Sequence, residues 1–179
     1  MSYVLPPTAV VKEPTNETPG DNFPSNTYTA QELSVSQYIM IKKSTIPNAG
    51  QGAFAIKDLP ANVDLGPYRG VILSEAQYDA MTEAQRSYVV THELEDGRKI
   101  RIDAKSQKRF QSNWTRFIND PYNTNLKPNV ILDADVHFVT TCYIKAGCEI
   151  LWNYGSKYWE DVDILEIKPV KAAARCNCP

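Results

Sequence analysis

The stretch Ser112-Asn113-Trp114-Thr115-Arg116-Phe117-Ile118-Asn119-Asp120 decides the fold of this chain. Two other blocks belong with it: residues 50–55, Gly-Gln-Gly-Ala-Phe-Ala, and residues 147–155, Gly-Cys-Glu-Ile-Leu-Trp-Asn-Tyr-Gly. Taken singly, each block is compatible with ordinary protein core, because apolar and aromatic residues alternate with turn residues in all three. Their occurrence together, in this order, requires a common explanation.

The composition indicates a single domain with tails. The chain has 179 residues, of which 42% are hydrophobic, and its formal net charge is −2. No run of about 18 apolar residues exists, so we expect no membrane span. The first residues lack the basic and apolar regions of a secretory signal, so we expect an intracellular protein.

The net negative charge of the chain comes from its N-terminal end. Residues 1–27 contain one basic and three acidic residues, so the remaining sequence has no net charge. A neutral body argues against nucleic acid as the main partner. It leaves open a local acidic groove that receives a basic peptide. The oligomeric state is left open.

Three regions follow from composition and pattern. Residues 1–27 are rich in proline and have no apolar period, which predicts a disordered or loosely docked tail. Residues 28–160 form the predicted folded domain, and residues 161–179 form a C-terminal tail. Short strands are predicted near residues 38–41, 53–56, 65–73, 130–132, 138–144 and 149–152. The domain is therefore predicted to be mainly β with short helices.

Two local signals interrupt this run of strands. Ser74 is a favourable N-cap, and the alanines after it predict a helix that reaches about Val90. Asp96-Gly97 is a favoured pair for a tight two-residue turn, so it predicts a β-hairpin.

The glycine pair at Gly50 and Gly52 has two interpretations. An ordinary loop between strands uses glycine for positive φ and needs no ligand. Alternatively, the backbone of Gly50, Gln51 and Gly52 can approach a charged ligand closely because two of the three residues have no Cβ. The loop is not a phosphate loop or a dinucleotide fingerprint, since the lysine of the former and the third glycine of the latter are missing.

The three blocks together resemble those of the SET-domain protein-lysine methyltransferases, in the order of that family. Residues 116–120 resemble the family's Arg-Phe-Ile-Asn-His, with Asp120 in place of the histidine. The Asn-Trp-x-Arg pattern at residues 113–116 resembles the PR-domain branch. Residues 149–155 resemble Glu-Leu-x-Phe-Asp-Tyr-Gly, with Trp152 where the family usually has Phe or Tyr. The resemblance covers residues 46–160.

The resemblance implies a SET fold of several small sheets with pseudoknot-like threading near the C-terminus. It implies S-adenosyl-L-methionine as cofactor, a catalytic Tyr154, and a substrate channel lined by Trp152 and Tyr154. It implies a cofactor site that contains Gly50, Gln51, Gly52, Phe54, Asn119, Asp120 and Tyr154. By family analogy the expected substrate is a histone tail and the expected location is the nucleus. We expect neither direct nucleic-acid binding nor a membrane partner.

The side chains suit this chemistry. The Asn119 amide offers a donor and an acceptor, as the edge of adenine does. A lysine has a pKa of about 10.4, and an aromatic channel would favour the neutral amine needed for attack. Tyr154 would orient that amine and need not act as a base, while the Trp152 indole would crowd the channel. Two alternatives remain open: a catalytically weak SET module that binds a peptide, and an unrelated β-rich structural domain.

The four cysteines fall into two groups. Cys142 and Cys148 lie in apolar, strand-like sequence and are interpreted as buried free thiols. Cys176-Asn177-Cys178 resembles the start of the family's post-SET zinc motif. A structural zinc site needs four ligands, and the family's upstream cysteine is missing here, so we predict no metal site. The terminal residues 161–179 are expected to be flexible.

Overall fold

The computed structural model describes residues 34–94, 96–108, 111–122, 124–159, Cys176 and Cys178. The tail predicted for residues 1–27 and most of the tail predicted for residues 161–179 lie outside the described residues. The strands are β1 (Ile39–Lys43), β2 (Gln51–Ala55), β3 (Asp64–Pro67), β4 (Val71–Leu73), β5 (Val89–Glu93), β6 (Lys99–Asp103), β7 (Val130–Leu132) and β8 (His137–Thr140). Helices α1 (Glu75–Asp79) and α2 (Ser156–Trp159) and 3₁₀ helices at Glu83–Tyr88 and Trp114–Phe117 complete these elements.

The described strands form three small antiparallel sheets. Strands β1 and β2 make a hairpin, β8 lies between β3 and β7, and β6 lies between β4 and β5. Side chains from all three sheets meet in one core, whose buried members include Ala53, Leu65, Ile102, Phe138 and Ile150. The expectation of a mainly β, SET-like fold with short helices is confirmed.

Residues 148–152 run as one extended segment between two different parts of the chain. On one side, Ile150 N–H donates to the Ala53 carbonyl at 2.8 Å. On the other, Trp152 N–H donates to the Asn119 carbonyl at 2.9 Å, and Asn129 N–H donates to the Leu151 carbonyl at 2.9 Å. The segment makes isolated bridges instead of the predicted strand, because its partners change every one or two residues.

The side chain of Asn129 completes this threading. Its Nδ2 donates to the Glu149 carbonyl at 2.8 Å, and its Oδ1 accepts from Leu151 N–H at 2.9 Å. Asn129 is 1% exposed. A buried backbone segment must have its polar groups paired, and this one amide supplies both a donor and an acceptor to it.

The predicted helix after Ser74 is shorter than expected. Ser74 does form a capping box with Gln77, but α1 ends at Asp79, and Thr82 with Gln85 begins a separate 3₁₀ helix. Neither helix buries a residue. Without an apolar stripe, packing does not hold the two turns together as one long helix.

The Asp96-Gly97 hairpin exists, but its connection is longer than two residues. Glu93 pairs with Lys99, and Leu94 N–H donates to the Arg98 carbonyl at 2.8 Å. Gly97 has φ +81°, the left-handed conformation that closes longer hairpin loops. The prediction of the hairpin is confirmed, and the prediction of a two-residue turn is wrong.

Asn129→Ala should lower the free energy of unfolding by about 2–4 kcal/mol, because two buried backbone groups lose their partners. Urea denaturation followed by tryptophan fluorescence measures the change. Gln107→Ala, which truncates an exposed amide, is the control. A loss no larger than that of the control would show that Asn129 does not hold the threaded segment.

Candidate functional site

Asn119 brings the three sequence blocks together. It follows the 3₁₀ helix at Trp114–Phe117, which is capped by Asn113 through a 3.2 Å bond from Thr115 N–H. The Asn119 Nδ2 group donates to the Gln51 carbonyl at 2.9 Å and to Glu149 Oε1 at 3.1 Å. The glycine loop, the asparagine block and the segment before Tyr154 therefore meet at one side chain.

The two glycines of the loop are needed for different reasons. Gly50 has φ +73°, and a Cβ there would meet nothing within 4 Å. At Gly52 a Cβ would lie 2.0 Å from Glu149 Oε1 and 3.2 Å from Asn119 Nδ2. Gly50 thus serves backbone conformation, whereas Gly52 leaves space for two polar side chains.

Glu149 is the site residue that the sequence reasoning did not assign. Its side chain accepts hydrogen bonds from Ser44 Oγ at 2.6 Å, from Thr45 N–H at 2.8 Å, from Thr45 Oγ1 at 2.5 Å, and from Asn119. It is 4% exposed. An acidic residue between the apolar Cys148 and Ile150 was the available signal, since a buried carboxylate needs several donors.

Phe54 lies two residues after Gly52 and therefore on the same face of β2. Its ring is buried, and the Lys42 ammonium lies 4.1 Å from the ring centroid. Phe54 also forms a bridge with Glu149. The structure therefore places Phe54 beside the cluster of Gly52, Asn119 and Glu149.

Asp120 uses its side chain to hold the tyrosine block. One carboxylate oxygen accepts from Tyr122 N–H at 2.7 Å. The other accepts from Tyr154 N–H at 2.7 Å and from the Trp159 indole N–H at 3.0 Å. Asp120 is buried. These side-chain contacts give Asp120 an anchoring role for Tyr154 and helix α2.

The Tyr154 hydroxyl has a fixed direction. It donates to the Ile118 carbonyl at 2.7 Å. Loss of hydration raises the pKa of Tyr154 well above its ordinary value, and the nearby Tyr68 and Tyr158 add to this effect. The hydroxyl is therefore protonated at neutral pH. Since its hydrogen is directed at Ile118, its oxygen lone pairs are the part available to another donor.

Aromatic rings surround Tyr154. Its ring centroid lies 5.1 Å from Trp152, 4.8 Å from Tyr158 and 6.4 Å from Trp159. Trp152 also contacts the buried Phe138 edge-on at 5.3 Å. The indole of Trp152 thus has one neighbour in the candidate channel and one in the core.

The cysteines differ from the prediction. Cys142 is joined to Cys178 and Cys148 to Cys176 by disulfide bonds, so the interpretation of Cys142 and Cys148 as free thiols is wrong. Cys176 also packs against the main core, which brings the Cys-x-Cys pair to its partners. Cysteines in disulfides supply no thiolate to zinc. In the part of the chain that the structure describes, no group of three or more Cys, His, Asp or Glu side chains is arranged for a metal.

Among the same residues, no helix is long and apolar enough to cross a bilayer.

The chain matches known proteins in the same region. Residues 39–165 match the family model of the PR domain of PR domain zinc finger protein 2. The chain is 29% identical over 137 residues to histone-lysine N-methyltransferase EHMT1 of Homo sapiens. The aligned region covers 73% of this chain and 10% of that protein. For EHMT1 of Mus musculus the identity is 29% over 118 residues, 62% of this chain and 9% of the relative. The chain thus spans about a tenth of the length of these curated relatives.

Asp120→Asn should destabilise the tyrosine block by about 1–3 kcal/mol, because one of its two oxygen acceptors becomes an N–H donor that faces other N–H groups. Thermal unfolding and the tryptophan fluorescence, to which Trp159 contributes, report the change. The exposed Asp79→Asn is the control. Unchanged fluorescence and stability in Asp120→Asn would remove the anchoring role of this carboxylate.

Proposed function

The chain belongs to the PR-domain branch of the SET family, and we propose that it transfers a methyl group from S-adenosyl-L-methionine to a lysine side chain in a protein. The observation that carries the proposal is the Tyr154 hydroxyl, which is protonated, directed at Ile118 and enclosed by aromatic rings. Such a group orients a nitrogen nucleophile without removing its proton. Its ring neighbours give the same space an apolar wall.

The residues at the other end of the site fit the proposed cofactor. When bound, S-adenosyl-L-methionine supplies a methyl group on a positively charged sulfonium. Both amide hydrogens of Asn119 are already donated, to Gln51 and Glu149, which leaves its Oδ1 as an acceptor. We expected a donor and an acceptor toward adenine. The free acceptor instead suits an ammonium or amino group of the ligand.

We assign the cofactor site to a continuous set of neighbours. The glycine loop and Asn119 meet through hydrogen bonds, Phe54 shares the face of Gly52, and Asp120 links this region to Tyr154. The proposed cofactor-binding residues are Gly50, Gln51, Gly52, Phe54, Asn119, Asp120 and Tyr154. In this role Asp120 acts by holding the backbone of Tyr154.

Tyr154 is the proposed catalytic residue. Its oxygen lone pairs can accept an N–H of the lysine amine, which turns the nitrogen lone pair toward the methyl donor. The phenol cannot serve as the base at neutral pH, because its pKa is raised. The aromatic surroundings disfavour the charged ammonium and so promote loss of its proton before transfer.

The substrate class rests on the relatives. Both EHMT1 proteins are named as histone-lysine methyltransferases, so we propose a histone tail as substrate and a nuclear location. The catalytic unit would be residues 28–160, with residues 1–27 dispensable for cofactor binding. The alternative is a peptide-binding SET module with weak activity.

Mass spectrometry of histones and peptide arrays after incubation with S-adenosyl-L-methionine tests the function. The proposal expects a gain of one or more methyl groups on a lysine. Peptide binding with no mass gain at any lysine would favour the binding module and contradict the enzyme.

Tyr154→Phe should lower turnover by about 10²–10⁴-fold while folding and cofactor binding survive, because only the orienting hydroxyl is lost. Radiolabelled methyl transfer measures turnover, and calorimetry measures binding. Tyr158→Phe, which removes a hydroxyl from the adjoining ring, is the matched control and should have a much smaller effect. Equal turnover of Tyr154→Phe and the unmodified chain would exclude Tyr154 from the mechanism.

Trp152→Phe should shift products toward higher methylation. The indole lies beside Tyr154, where a smaller ring would give a methylated amine room to rotate. Mass spectra of one peptide at matched turnover give the product ratio. Trp152 also contacts Phe138 in the core. An unchanged product ratio with reduced stability would therefore contradict the prediction and mean that the indole only packs in the core.

A further inference from the structure

We propose that Glu149 is a positioning residue for the cofactor site, and that its carboxylate fixes both the orientation of the Asn119 amide and the path of the Gly50–Gly52 loop. The ligand part of this inference rests on the proposed function. The contact between Glu149 and Gly52 is independent of it. Glu149 lies 30 residues from Asn119 and 105 from Ser44 in the sequence, so it joins separate segments.

The burial of Glu149 is unusual for a carboxylate. It is 4% exposed, and the ion pairs found among the described residues involve other acids. A buried charge is tolerated when hydrogen bonds replace its hydration. Donors from Ser44, Thr45 and Asn119 do so here.

The same carboxylate determines which end of the Asn119 amide is free. An ionised carboxylate can only accept hydrogen bonds, so Asn119 must turn its NH₂ group toward Glu149. The Gln51 carbonyl also accepts from this NH₂ group. As a result, Oδ1 is the atom that Asn119 presents elsewhere. Glu149→Gln introduces a second NH₂ group beside Asn119 and would weaken this preference, which the Gln51 carbonyl alone would then maintain.

The loop is held by the other contacts of Glu149. Ser44 N–H donates to the Gly50 carbonyl at 2.9 Å, and Glu149 binds the adjoining Ser44 and Thr45 side chains. The carboxylate also occupies the place of a Gly52 Cβ, with 2.0 Å between Oε1 and the position of that atom. One side chain therefore sets the position of the loop at both of its ends.

A double-mutant cycle on ligand affinity tests the effect through Asn119. Calorimetry with S-adenosylhomocysteine is carried out on the full chain, Glu149→Gln, Asn119→Ala and the double variant. Glu149→Gln should weaken binding by about tenfold, the loss expected for a bond to a charged group. In the Asn119→Ala background, Glu149→Gln should cause little further loss of affinity, because the amide to be oriented is absent. Glu75→Gln, at an exposed carboxylate, should leave affinity unchanged.

Two results would overturn the inference. One is unchanged affinity in Glu149→Gln, even if its stability falls, since that would describe a structural residue only. The other is an equal additional loss in both backgrounds, since Glu149 would then act independently of Asn119. No binding by the unmodified chain would count against the proposed function, and the stability cycle below would still decide the contact with Gly52.

Unfolding free energies test that contact without any ligand. Gly52→Ala places a methyl group against the carboxylate, and Glu149→Asp withdraws the carboxylate by one methylene group. The double variant should be less destabilised than the sum of the two single variants. Gly50→Ala is the control, because its Cβ would meet nothing within 4 Å. The stability lost in Gly50→Ala should therefore add to the stability lost in Glu149→Asp. Additivity for both pairs would contradict the proposed contact.

Discussion

The threaded segment at residues 148–152 is the constraint on which the rest of the structure depends. Its backbone is paired with Ala53 on one edge and with Asn119 and Asn129 on the other. Each of these short sheets buries little surface and is marginally stable alone. A segment that bonds several parts of the chain therefore stabilises the sheets as one unit. The side chains within it and just after it are consequently held in place from both sides.

The candidate site uses this constraint at two points. At one end Glu149 extends from the segment to Asn119 and the glycine loop. At the other end Tyr154 follows the segment, with its N–H bound to Asp120 and its hydroxyl bound to Ile118. Asn119 and Asp120, which are adjacent in sequence, thus hold opposite ends of the site. Asp120, at the position where the resembled SET motif has a histidine, thus uses its carboxylate to hold the backbone of Tyr154.

Features governed by neighbouring residues could be predicted from the sequence. The Ser74 capping box requires a residue only three positions away, and the hairpin at Gly97 depends on a local positive φ. The length of the helix after Ser74 could not be predicted in this way, because it depends on packing that is absent. The grouping of Gly52, Asn119 and Tyr154 was accessible only through the order of three blocks that resemble a family.

Other missed features depend on contacts between distant residues. The bond from Ser44 to Glu149 spans 105 residues, and no local pattern marks it. The disulfides of Cys142 and Cys148 close separations of 36 and 28 residues, which spacing alone does not specify. For the same reason the sequence does not indicate the direction of the Asn119 amide. That direction depends on the distant Gln51 and Glu149, which accept both of its hydrogens.

A crystal structure of the chain with S-adenosylhomocysteine tests the central claim most directly. The account predicts ligand density against residues 50–52, with an amino group of the ligand on Asn119 Oδ1 and the bonds from Asn119 to Gln51 and Glu149 retained. Density at another place on the domain would contradict the account. The account would also be contradicted if the Asn119 side chain no longer bonded Gln51 and Glu149 and donated both of its amide hydrogens to the ligand.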